Sequence, residues 1–500
     1  MDINILFAIS PIILIMLLLI VFKRPLFVSA PITFFFTFLL AWFYWRMSAS
    51  HIIGSTLKGL FVAIDISIII FGAIFFLEFL KRTKLLNSIV SYLEHISPDR
   101  RIQVIILVWF LGSFIEGSAG FGTPAAIIAP LLVGMGFPAV MAVVLALIGN
   151  STAVAFGAVG TPIRVGLSGL PIEGVVNNVA LVNGIAGFIV PIFLVGVLIF
   201  GDKFLETKEK KSYFFEILPF ALWAGFVLLV PYYLTSFLGQ EFPSLLGSLI
   251  GLVIIIFTTK KKFLVPENVW RIRERKHNVD FSFKSLAPYL ILILFLILGK
   301  FLLPSFSLVI TEGIKHSFNL FNPGLIFILT VLVVAVLFRF SRKNVFGAAH
   351  DALSKLLYPF ISILFITAFV QLMIYTGYNT SGITSMVNII ANLFKSSLLI
   401  FFSPFIGAFG AFIAGSATVS TILFGPFQYS AAIDLGLSVS ALLALQVIGA
   451  GVGNMIALTN VVAAEATVKI HGYEHEILRK TIIPCIIYLL IVAIIGIILL

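Results

Sequence analysis

Two stretches of this 500-residue chain combine residue types that break helices and bind anions. Residues 113–123 read SFIEGSAGFGT and residues 411–421 read AFIAGSATVST, identical at six of eleven positions without a gap. Some thirty residues on, Leu147-Ile148-Gly149 and Val447-Ile448-Gly449 open two polar, glycine-containing patches, 149–162 and 449–460. Inside hydrocarbon, an interrupted helix survives only where protein, water or a polar ligand satisfies its freed N–H and C=O groups. The N-terminus of a half-helix also carries partial positive charge, which suits a carboxylate. Candidate substrate contacts are therefore Gly117, Ser118, Gly120, Thr123, Asn150 and Ser151 in the first copy. In the second they are Gly415, Ser416, Thr418, Ser420, Asn454, Thr459 and Asn460. Small residues also serve plain helix packing, but the duplicated Phe-Ile-x-Gly-Ser-Ala pattern with its matching patch favours a site.

Glu116 stands directly before the first Gly-Ser-Ala, where the second copy has Ala414. If one proton moves with each anion, one copy needs the carrier and the other does not. A carboxyl group removed from water favours its neutral form and can load and unload a proton; a structural helix-capping role weighs about equally. Glu465, beyond Thr459-Asn460, is the next candidate. Asp65 is assigned to bundle packing, Glu78 and Asp434 to span ends, and Arg164 to closing a span. The seven histidines are scattered and Cys485 is alone, so neither a metal cluster nor a disulfide framework is expected. No phosphate-binding loop is present, so no nucleotide or other cofactor is expected and a secondary gradient remains as the energy source.

The elements that position these residues must cross a membrane. Hydrophobic residues make up 60% of the chain and charged ones 11%, against about 25% in soluble domains. Runs such as 5–22, 180–200 and 481–500 are apolar nearly all round and long enough to span as helices, without the alternation of a barrel strand. The first run is followed by Lys23-Arg24 without a small-residue cleavage site, and is expected to be a span and not a signal peptide. The net charge of +11 does not indicate nucleic acid, because the basic residues lie in short loops. Loops 23–24, 81–101, 203–211, 260–284, 339–355 and 469–480 hold 26 of the 32 Lys and Arg; the alternate set holds Arg46, Lys58, Lys300, Lys315 and Lys395. By the positive-inside rule the first set is cytoplasmic and both termini are outside. The basic segment 260–284 is expected to be a cytoplasmic linker between halves 1–259 and 285–500, with a lipid-headgroup or partner contact as the alternative.

With that orientation the first copy (113–170) is entered from the cytoplasmic side and the second (411–467) from outside. Inverted repeats with interrupted helices mark secondary transporters. The expected fold is an all-α polytopic membrane protein of about 12–14 transmembrane helices, with two inverted repeats and re-entrant or broken helices.

DRRIQ at 99–103, FIEGSAGFGTPAA at 114–126, VAFGAVGTPI at 154–163 and GAFGAFIAGSATVSTILF at 407–424 resemble the bacterial L-lactate permease family, and the likeness covers residue 59 to the end. Glu116, Gly117, Gly120, Phe121, Gly122 and Pro124 match its first motif, and Ser416, Thr418 and Ser420 its second. The resemblance implies uptake of lactate and glycolate with protons across the bacterial cytoplasmic membrane, through paired re-entrant hairpins. The patch 453–460, GNMIALTN, departs from the family's Gly-Lys-Met-Ile-x-Pro-Gln-Ser. Its missing lysine removes an anion contact that the resemblance implies, leaving Asn454 and backbone dipoles to supply it, or a different substrate. The expected partners are a small carboxylate, a coupling proton and the lipid bilayer; oligomerisation is open. A sodium-coupled carrier of another organic anion is the alternative, since Ser118, Asn150, Thr418 and Asn454 could equally ligate Na⁺. No clustered nucleophile, base or metal ligands indicate an enzyme.

Overall fold

The computed structural model describes residues 3–201, 206–271, 283–393 and 398–499. Lys395 and residues 272–282 of the basic segment lie outside the described residues. The chain opens with α1 (Ile3–Ile20), α2 (Leu26–Leu39) with a π-helical extension Leu40–Tyr44, α3 (Ala49–Arg82) and α4 (Leu85–Leu93). α5 (Arg100–Val104), a π-helical stretch Ile105–Leu111 and α6 (Gly112–Ser118) form one wholly buried rod. Next come α7 (Thr123–Gly134), α8 (Ala139–Asn150), a 3₁₀ turn Val154–Phe156 and α9 (Gly157–Arg164). They are followed by α10 (Val175–Gly187), α11 (Val190–Gly201), α12 (Thr207–Ser236), the π-helical turn Pro243–Gly247 and α13 (Ser248–Lys260).

The rest is α14 (Phe283–Leu302), the antiparallel hairpin β1 (Ser305–Thr311) and β2 (Ile314–Asn319), α15 (Pro323–Leu337), α16 (Arg342–Tyr375) and α17 (Met386–Ala391). α18 (Leu399–Ala414), α19 (Ala417–Leu435), α20 (Val439–Gly453), a 3₁₀ turn Asn454–Ile456, α21 (Leu458–Thr467) and α22 (Glu474–Leu499) complete it. Among the described residues eleven helices are long and apolar enough to cross a membrane, or twelve if the pair bent by 60° after Asn150 counts as one span. The all-α, multi-pass membrane fold is as expected. Helices run past the apolar cores read from sequence because caps start them early: Ser48 accepts from His51 N–H to begin α3 and Ser341 from Asn344 N–H to begin α16.

Packing is reciprocal between an early and a late set of elements. α3 and α16, each 34 residues, lie against one another, with Gly59 so close to Ala368 that a Cβ would reach its Cα at 2.5 Å. α2 packs on α16 as α15 packs on α3, and α1 on α17 as α14 on α4. At the centre α21 packs on α7 and α9 on α19, while α22 meets α8 and α10 meets α20. Each of the two 3₁₀ turns also meets the helix preceding the other. α12 and α13 stand outside this pattern and cover the stretch 105–111.

Charged loops gather on two separate faces. On one, Arg82 binds Asp351 at 2.6 Å and Lys260 donates to the Tyr92 hydroxyl at 2.8 Å. There the fully buried Arg101 pairs with Asp99 at 2.6 Å and donates to the carbonyls of Tyr213 and Asn268. All come from in or beside loops grouped above by their basic residues. On the other face Trp45 donates to Thr384 O, Lys58 to the Tyr375 hydroxyl, and Lys300 pairs with Glu241 at 2.8 Å.

Candidate functional site

Both Gly-Ser-Ala motifs lie at helix breaks, though the breaks differ. In the second copy Gly415 (φ 69°) ends α18 and Ser416 caps α19 by accepting from Val419 N–H. In the first, Gly117 and Ser118 are still helical, and the chain turns left-handed at Gly120, Phe121 and Gly122 before Thr123 starts α7. Gly117 is held back by packing: a Cβ there would lie 2.4 Å from the Ser244 carbonyl carbon and the Leu245 nitrogen. Each break rests on the other break of its own copy. A Cβ on Gly120 would meet that of Ala158 at 2.7 Å, and one on Gly415 would meet Thr459 Oγ1 at 2.0 Å.

The second break of the first copy is the more irregular. After the 3₁₀ turn, Ala158, Val159 and Gly160 all take positive φ (42°, 51° and 78°), a conformation that β-branched residues adopt only under constraint. Side chains meet the carbonyls released there. Thr152 O accepts from Asn183 Nδ2 at 2.8 Å and the Tyr232 hydroxyl at 3.1 Å, and Ala153 O accepts from Ser244 Oγ at 2.7 Å. Tyr488, from the last helix, donates to Asn183 Oδ1 at 2.7 Å. In the second copy Asn460 Nδ2 donates to Asn454 Oδ1 at 2.7 Å. A further buried chain links Ser403, Gln428, Gln446 and Ser420.

Glu116 sits between the two breaks of the first copy, 3% exposed. Its Oε2 accepts from Asn150 Nδ2 at 3.1 Å, and it forms no ion pair among the described residues. Oε1 occupies space left by Gly157, where a Cβ would lie 2.2 Å away. Asn150 Oδ1 is buried without a partner. Asn150 lines a cavity of about 450 Å³ together with Phe121, Thr123, Ser151, Asn454 and Asn460. The same cavity reaches Glu78, Lys81 and Lys355, where both lysines pair with Glu78 (3.2 and 2.9 Å) and remain 40% and 54% exposed. The space is thus lined from both 113–170 and 411–467, with amides and hydroxyls in its wall and two partly exposed lysines beside Glu78.

Thr123, Asn150, Ser151, Asn454 and Asn460 are brought together on this cavity; Gly117, Ser118, Gly120, Gly415, Ser416, Thr418, Ser420 and Thr459 do not line it. Several of these have their polar groups occupied internally: Ser118 Oγ donates to Ile115 O and Ser420 Oγ to Gly407 O. Glu465 is buried but away from the cavity, accepting from Tyr473 N–H at 3.1 Å and so holding the turn before α22. Arg164, expected to close a span, pairs with Glu241 at 3.3 Å and donates to Phe321 O. Gly157, Lys355, Asn183, Tyr232 and Tyr488 escaped the sequence reading. Only Gly157 had a local signal, its place inside the first polar patch.

The family model for L-lactate permeases matches residues 4–319 and 310–500. The chain belongs to the L-lactate permease family. Among its relatives in this family, a putative L-lactate permease of Haemophilus influenzae is 33% identical over 466 residues, covering 85% of each chain. An L-lactate permease of Salmonella typhimurium is 27% identical, covering 95% of this chain and 92% of its own. A glycolate permease of Escherichia coli is 26% identical, covering 98% and 94%. Membership of this permease family and eleven membrane-length helices make the chain an integral, multi-pass transporter. In this member of the L-lactate permease family, Glu116 lies between the helix breaks of the first copy with Asn150 donating to it.

Proposed function

We propose that this chain is a secondary active carrier that takes up lactate, and glycolate or similar 2-hydroxymonocarboxylates, with protons across the bacterial cytoplasmic membrane. The observation that carries the reading is Glu116: a buried carboxyl group bonded only to a neutral amide, that of Asn150, which itself lines a cavity shared by 113–170 and 411–467. An acid kept from water without a cation is expensive as an anion, so proton uptake relieves it. The cavity supplies what a small hydroxy acid needs. It offers amides and hydroxyls at Asn150, Ser151, Asn454, Asn460 and Thr123 for the polar end, alanine and leucine surfaces for the rest, and Lys81 and Lys355 to draw the anion in. The relatives' names, L-lactate permease and glycolate permease, support that substrate class. The charge pattern supports a cytoplasmic position for Lys81 and Lys355, and with it an inward-facing conformation and both termini outside. The reciprocal packing supports an inverted repeat with alternating access about the cavity.

The test is accumulation of labelled L-lactate in proteoliposomes under an imposed pH gradient or an imposed Na⁺ gradient. The pH gradient alone should drive it; accumulation driven by Na⁺ alone would overturn proton coupling. Glu116→Gln should abolish accumulation yet keep lactate–lactate exchange, and unaltered accumulation would remove Glu116 from the proton path.

A further inference from the structure

We propose that Asn150 couples proton loading to anion binding by presenting opposite ends of its amide to the cavity as Glu116 changes protonation state. This rests on the reading of Glu116 as the proton carrier. Asn150 is 7% exposed, and one end of its amide is committed to Glu116 while Oδ1 has no partner. The residue lines the cavity, and Oδ1, itself closed off from solvent, is the end of its amide left without a partner. An asparagine amide has one accepting end and one donating end, nearly equal in shape. When Glu116 is charged it can only accept, so Nδ2 must face it, which leaves the acceptor Oδ1 as the end that a ligand reaching Asn150 would meet. A carboxylate arriving there meets a like partial charge.

When Glu116 takes a proton on Oε2, it becomes a donor toward Asn150. A half-turn about the last side-chain bond then brings Oδ1 to Glu116 and Nδ2 to the cavity, where its N–H groups can donate to the carboxylate. Proton and anion thus bind together or not at all at this point.

The surroundings leave this to the pair. Elements packed on α6 are the turn Pro243–Gly247, the stretch Ile105–Leu111, the turn Val154–Phe156, α7, α8, α9 and α13. Their ionisable side chains are Arg164, paired with Glu241, and Lys260, bonded to Tyr92; neither acts on Glu116. Around α8, Glu465 on α21 is held by Tyr473 N–H, and α22 carries Glu474, His475, Glu476, Arg479 and Lys480 in its first turns. Glu78, Lys81 and Lys355 face the cavity as a mutually paired group.

The test is equilibrium binding of labelled L-lactate to the purified full chain across a pH series, for the natural protein, Asn150→Ala and Glu116→Gln. In the natural protein affinity should fall about tenfold per pH unit once Glu116 is ionised, the slope of a one-proton linkage. Glu116→Gln should bind independently of pH. Asn150→Ala should bind with that slope flattened, a change that loss of mere packing would not produce. A natural slope in Asn150→Ala with none in Glu116→Gln overturns the amide switch and leaves the carrier reading standing. A natural slope in Glu116→Gln overturns the carrier reading itself. If Asn150→Ala does not bind, difference infrared spectra of the unaltered protein decide. Lactate should raise a protonated-carboxyl band together with a change in an asparagine amide band, and the carboxyl change without the amide change overturns the switch.

Discussion

A single methyl group at position 157 separates two very different neighbours of Glu116. Glycine leaves room for Oε1, whereas an alanine Cβ would stand 2.2 Å from it, so the carboxyl must shift by more than an ångström. Displacements of that size at a working group can cost about 10²-fold in rate. Gly157→Ala should therefore lower pH-driven lactate uptake by about that factor while the unfolding temperature changes little. Gly184→Ala, where a Cβ meets nothing within 4 Å, is the control and should transport normally; equal uptake by the two variants would dismiss the tight seat. Arg101 has the opposite character. Fully buried and bonded to Asp99 and two carbonyls from distant loops, it ties one face of the molecule together. Removing one partner of such a pair destabilises by about 3–5 kcal/mol, so Arg101→Met should lower the thermal unfolding temperature in detergent. An unchanged midpoint would show the pair to be dispensable.

At the scale of elements, the break at Ala158–Gly160 holds two non-glycine residues at positive φ. Such conformations cost on the order of 1–3 kcal/mol each, whereas glycine loses roughly 0.5–1 kcal/mol through the unfolded chain. Val159 is also fully buried, and burial of such a side chain contributes about 1.5–3 kcal/mol, so Val159→Gly should come out less stable by thermal unfolding; a more stable variant would mean that relief of strain outweighs the lost burial. The breaks themselves were legible from the Gly-Ser-Ala pair and the polar patches, because no other residue pattern interrupts apolar runs at matching offsets. Their registers were not. Gly117 is consumed by contact with the Pro243–Gly247 turn, more than a hundred residues away, and the break moves on to Gly120–Gly122. Likewise Ser420 and Thr459 look like ligands in sequence, but Ser420 satisfies Gly407 O and Thr459 lies against Gly415. These neighbours are set by packing, which local sequence does not report. The Asn183, Tyr232 and Tyr488 cluster that supports the first break comes from three separate helices and has no spacing to reveal it.

Across the whole molecule, loop charge predicts sidedness, and the two-face grouping of the polar contacts makes that prediction sharp. Cys485 is fully buried and is the chain's single cysteine, so introduced thiols can be read without background. An impermeant maleimide should label Thr380→Cys from outside intact cells and Lys208→Cys only in inverted vesicles; the reverse would invert the whole topology. The reciprocal packing has a practical consequence of another kind. Gly149 lies under Val108 as Gly449 lies under Pro404, and a Cβ would come within 2.3 and 1.9 Å respectively. The first clash is with a side-chain methyl of Val108 and the second with a backbone oxygen. Gly149→Ala should therefore be the milder of the pair in thermal unfolding. If the two motif copies are the inverted repeat proposed above, each is an internal replicate for experiments on the other, and differences between twin substitutions isolate what Glu116, aligned with Ala414 in the other copy, adds.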